Sequence, residues 1–99
     1  MATYIVLLNF TDQGIRNVKD TTKRAAAFQD SAKQSGITVK EFYWTLGRYD
    51  CISIVEAPND ESITALGLSV GMLGNVRSET LRGFSLNEMG PILAKVGGK

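Results

Sequence analysis

ITVKEFYWTLGRYDCISIVEA, residues 37–57, is the stretch that decides the fold. Two runs rich in β-branched and aromatic residues, 37–46 and 49–57, are too short for helices and flank Gly47–Arg48. Glycine at Gly47 suits the positive φ of a tight turn. Gly47–Arg48 therefore fit a type II′ hairpin, with Tyr49 pairing across from Leu46. Strand two folds back on itself as strand three.

Outward from the hairpin, residues 3–10 (TYIVLLNF) read as strand one, followed by a polar loop or irregular turn, TDQGIRNVK. Asp20 is the expected N-cap of a first helix carrying Thr22, Ala25, Phe28, Gln29 and Ala32 at helical spacing, and Gly36 stops it. Pro58 ends strand three, and Asn59 or Asp60 caps a second helix whose apolar positions are Ile63, Leu66, Val70 and Leu73. Residues 76–84 form strand four. Residues 86–96 form a short terminal helix, and 95–99 a tail expected to fray.

The order β–α–β–β–α–β predicts an α+β, ferredoxin-like sandwich in one domain over residues 1–99. A four-stranded antiparallel sheet carries both helices on one face. Strands one and three lie in the middle and are expected to run parallel.

Composition narrows the function classes. The chain has 99 residues, 43% of them apolar and 21% charged, with eleven basic and ten acidic side chains. That balance argues against nucleic acid or a charged membrane surface as partner. No run is long enough to span a bilayer, and MATYIVLLNF lacks the basic lead of a signal peptide. A lone cysteine, Cys51, forms no intrachain bridge and fits a reducing, cytoplasmic compartment. Histidine is absent, which removes Ser–His and Cys–His nucleophiles and the usual zinc ligand sets. No cofactor or metal is expected.

The strands are apolar on both sides. Strand one sets Ile5 and Leu7 against Tyr4, Val6, Leu8 and Phe10. Strand two sets Val39 and Tyr43 against Phe42 and Trp44, and strand three sets Ile52 and Ile54 against Cys51 and Val55. A sheet covered on one side should alternate apolar with polar. Four strands give a footprint of roughly 400 Å², near the apolar exposure a monomer tolerates. The second face is expected to meet another copy of the chain, as a homodimer or higher homo-oligomer.

Candidate site residues fall in two clusters. In the hairpin, turn chemistry suffices to explain Gly47, Tyr49 and Asp50, the Asp50 carboxylate folding back onto backbone N–H groups of the turn. The sharper reading makes Tyr49 and Asp50 an acid–base pair beside Arg48. In the second cluster, Arg16 and Asn17 lie near a helix N-terminus, and Arg77 enters strand four at the same end of the sheet, a setting for a small anionic ligand. A solvated loop explains the same residues. Gly67, Gly71 and Gly74 form GxxxGxxG, which is neither a dinucleotide fingerprint nor a P-loop. They read as a packing stripe, against the sheet or against a subunit.

Four blocks in order, YIVLLNFTDQGIRNVKDTTKRA, EFYWTLGRYD, IVEAPNDE and LGNVRSETLRGFS, resemble the GYD-domain family, small bacterial and archaeal proteins named for a Gly–x–Tyr–Asp motif. The resemblance spans nearly the whole chain and implies a ferredoxin-like, dimeric α+β-barrel architecture. It brings no catalytic set. The family motif falls on Gly47, Tyr49 and Asp50, and Arg16, Asn17 and Arg77 sit in the other blocks. Cys51 and Arg48 depart from the usual pattern.

The expected function is an oligomeric assembly or small-ligand-binding domain that uses its open sheet face as subunit interface. The alternative is a cofactor-independent enzyme acting on a small anionic substrate through Tyr49 and Asp50.

Overall fold

Alternation along the strands settles which face is buried. The computed structural model describes residues 1–98, so Lys99, the end of the tail expected to fray, lies outside them. In β1 (Ala2–Phe10) Tyr4, Val6 and Leu8 are buried. In β3 (Cys51–Ala57) the buried side chains are Cys51, Ser53, Val55 and Ala57. These meet Phe28 and Ala32 of α2 (Thr21–Gln34) and Ile63 and Leu66 of α3 (Asp60–Gly71) in one cluster. The helices therefore cover one side of the sheet.

The sheet order is β2-β3-β1-β4, with β2 at Thr38–Trp44 and β4 at Val76–Gly83. This is the ferredoxin-like α+β arrangement. Strands β1 and β3 lie in the middle as expected, but they are antiparallel, with Tyr4 opposite Val55 and Leu8 opposite Cys51. The expectation of a parallel pair is corrected by topology. The first crossover makes β1 and β2 parallel, and β3, which lies between them, reverses after the hairpin.

A bulge between Val39 and Glu41 resets the alternation of β2. Val39 consequently shares the core side with Phe42 rather than the open side with Tyr43. On the core side the Phe42 and Trp44 rings tilt together at 5.0 Å, and the Trp44 indole N–H donates to Thr21 Oγ1 at 3.0 Å.

The linking polar stretch is more ordered than a loop. Thr11 caps α1 (Asp12–Arg16), accepting the Gly14 N–H at 3.1 Å, and a 3₁₀ turn over Val18–Asp20 follows. Asp20 makes no side-chain cap, contrary to expectation, because the 3₁₀ turn runs directly into α2. Asn59 does cap α3, accepting the Ser62 N–H at 2.9 Å. The terminal helix α4 (Leu86–Leu93) starts from a capping box between Ser85 and Glu88, legible in the sequence as S-x-x-E. The Ser85 N–H holds the Glu88 carboxyl below its ordinary range. Residues 95–97 continue as a hydrogen-bonded turn, with the Val96 N–H on the Leu93 carbonyl at 3.1 Å. Among the described residues no helix is long and apolar enough to cross a membrane.

Candidate functional site

The β2–β3 ladder ends at Trp44 opposite Cys51, and the connection over residues 45–50 is wider than a two-residue hairpin. The Thr45 N–H donates to the Asp50 carbonyl at 2.8 Å, and the Thr45 hydroxyl donates to the Tyr49 carbonyl. The expected II′ turn with a Leu46–Tyr49 pair is thus replaced by a looser loop with Leu46 fully in solvent. Gly47 does adopt a positive φ, 116°.

The Asp50 carboxylate does not fold onto its own turn as expected but reaches across to β1. It accepts the Phe10 N–H at 2.8 Å, while the Asp50 N–H donates to the Leu8 carbonyl at 2.9 Å. Two orphan ladder groups beyond the end of β3 are thereby satisfied. The Tyr49 hydroxyl turns to β4 and donates to Glu79 at 3.1 Å, and the Arg48 guanidinium lies 5.6 Å from the Tyr49 ring centre. Among the described residues no hydrogen bond joins Tyr49 to the Asp50 carboxylate. The adjacent Cys51 thiol is buried and pushed up to about 11, chiefly by desolvation and then by the Asp50 charge, which keeps it neutral.

Arg16 and Asn17 fold onto their own helix. Arg16 Nε donates to the Asp12 carbonyl at 3.1 Å and Asn17 Nδ2 to the Gln13 carbonyl at 3.0 Å. Arg77 stands on β4 opposite Asn9 and shares no polar contact with them among the described residues.

Two neighbours of α1, Asn75 and Arg24, escaped the sequence reading. Gly14 packs so closely on Asn75 that a Cβ there would sit 1.9 Å from the Asn75 carbonyl oxygen. Around this contact the Thr11 N–H donates to Asn75 O at 3.1 Å, and Gln13 Nε2 donates to Leu73 O at 3.1 Å. The second neighbour, half-buried Arg24, donates to the Asn17 carbonyl at 2.8 Å and the Gly14 carbonyl at 3.1 Å. Its position in the helix gives no local sign of this role. The signal lay in the Phe10 ring and the carbonyl cluster around it, which only folding assembles.

Of the glycine stripe, Gly74 lies in the turn after α3 at φ 86°, whereas a Cβ at Gly71, the last residue of the helix, would meet nothing within 4 Å. Gly67 and Gly71 border an open groove of about 490 Å³ between α3 and β4.

The side of the sheet away from the helices carries a continuous apolar band. Register places Tyr43, Ile52, Leu7 and Glu79 in one row and Glu41, Ile54, Ile5 and Leu81 in the next, so a glutamate closes each apolar row at one edge. Tyr43 is 55% and Leu81 42% exposed, with the four isoleucine and leucine side chains between them half-buried.

The family model for the GYD domain matches residues 4–93. The chain belongs to the GYD-domain family. A Thermus thermophilus relative, the "Glutamine synthetase and cystathionine beta-lyase binding protein", is 29% identical over 90 residues, covering 90% of this chain and 95% of its own. The crystal structure of an FFRP superposes with a TM-score of 0.58 at 21% identity, covering 85% of this GYD chain and all of its own. The crystal structure of TTHA0845 from Thermus thermophilus gives a TM-score of 0.54 at 23% identity, covering 86% and 95%. These likenesses show the fold shared by GYD proteins and other small α+β chains.

Proposed function

We propose that this chain is a non-catalytic protein-binding module that works as a homo-oligomer, two copies meeting through their open sheet faces. The observation that carries the reading is the six-residue apolar band of Tyr43, Ile52, Leu7, Ile54, Ile5 and Leu81 on the side without helices. Apolar surface of this kind gains roughly 25 cal/mol per Å² when it leaves water, and a self-complementary two-fold contact buries it on both copies at once. The hairpin side chains support a structural role. Asp50 is committed to a backbone N–H and Tyr49 to Glu79, so neither is poised toward the other for proton transfer.

The name of the Thermus relative supports a role in binding other proteins. Extended to this chain, the reading makes metabolic enzymes such as glutamine synthetase and cystathionine beta-lyase its partner class. Titrating the purified chain into each enzyme from the same organism, followed by calorimetry, tests it. A saturable heat with at least one of them is expected. Absence of binding to both overturns the partner assignment.

A further inference from the structure

A cavity of about 160 Å³ lies between α2, α3 and the helix-covered side of the sheet. Its walls are mostly apolar, with Leu8, Phe28 and Val70 among them, and Ser31, Ser69 and Asn75 add polar groups. An apolar void of about 150 Å³ accepts a benzene-sized guest, and this one opens on one side to solvent. One cation lines it. Arg24 uses two N–H groups on the Asn17 and Gly14 carbonyls and lies 5.8 Å from the Phe10 ring centre. Guanidinium has five N–H donors, so three remain. Among the described residues no carboxylate pairs with Arg24, the ion pair found there being Arg82–Glu88.

We infer that this cavity is a binding site for a small aromatic or branched aliphatic carboxylate, the apolar body filling the void and the carboxylate meeting Arg24. Charge complementarity selects the ligand class. An apolar wall rewards a hydrocarbon body, while a half-buried guanidinium fixed by two carbonyls offers preorganised donors to a carboxylate. The Cys51 thiol at the lining is neutral, and the Asp50 carboxylate whose charge reaches it is held by the Phe10 N–H at 2.8 Å. The pocket is on the side of the sheet opposite the proposed subunit interface, so this assignment stands or falls separately from oligomerisation.

Trp44 gives a built-in reporter, since it packs on Phe42 and bonds to Thr21, both of which line the cavity. Phenylacetate titrated into the purified chain should change Trp44 fluorescence saturably and bind at least about tenfold tighter than the uncharged isostere phenylacetamide. Val70→Phe, which fills the void while leaving Arg24 in place, should abolish binding of both. Arg24→Met should erase the preference for the carboxylate; circular dichroism confirms that each variant is folded. Equal affinity for phenylacetate and phenylacetamide in the wild-type chain, or no saturable binding of either, overturns the assignment. So does undiminished binding in Val70→Phe.

Discussion

The Asp50 carboxylate accepts the backbone N–H of Phe10 at 2.8 Å, tying the end of the family's motif to the last residue of β1. The contact gives Asp50 a structural purpose. It closes the ladder where β3 has not yet begun, so the motif acts as the hinge pin of the central strand pair.

Replacing Asp50 by Ala should therefore destabilise the fold by about 1–3 kcal/mol, the cost of stranding a part-buried donor. Asn retains an acceptor at that position and should recover part of the loss. Tyr49→Phe, which removes only an exposed hydrogen bond to Glu79, should stay within about 0.5 kcal/mol of wild type. Urea unfolding of the three variants checks the ranking.

Gly14 and Gly71 should respond in opposite directions. A methyl at Gly14 collides with the Asn75 carbonyl, so Gly14→Ala should lose about 1–3 kcal/mol as the α1 and α3–β4 segments are forced apart. A methyl at Gly71 meets open space within the chain, so Gly71→Ala should gain about 0.5–1 kcal/mol from helix propensity. Urea midpoints of both variants provide the check. A loss at Gly71 would show that the groove beside it is filled by another molecule.

Cys51 sets a pH dependence whose sign follows from burial. Its folded pKa of about 11 lies above the ordinary 9.0, so the stability from the neutral thiol is complete below pH 9 and lost as pH rises through 11. The stability difference between wild type and Cys51→Ala should therefore be constant up to about pH 9 and shift against wild type above it. Paired denaturation curves across that window measure the change. At neutral pH the same thiol should react slowly with iodoacetamide.

Much of this architecture was legible because the residues that write it act locally. The β-branched runs, the Asn59 cap and the positive-φ glycines at Gly36, Gly47 and Gly74 each announce their element without help from distant chain. What the sequence hid depends on contacts between segments. The bulge at Val39/Glu41 moves Val39 to the core side through pairing with β3, which no period along β2 records. Asp20 carries the residue type of a cap, yet the preceding 3₁₀ turn takes that place from it. Gly14 reads as a loop glycine until Asn75 is brought against it from 61 residues downstream. Of the candidate site, Tyr49 and Asp50 were visible as a motif. Arg24 was not, because a lone arginine on an amphipathic helix looks the same whether it faces water or a cavity.

Light scattering during gel filtration tests the central claim most directly, with wild type run beside Ile54→Lys. Ile54 stands on β3 within the apolar band, between Ile5 and Glu41, and a lysine there sets a charge in any sheet-to-sheet contact while remaining solvated in a lone chain. Wild type at micromolar concentration should elute at twice the 10.8 kDa of the single chain or a higher multiple, and Ile54→Lys at 10.8 kDa with unchanged circular dichroism. Wild type at 10.8 kDa would contradict the account.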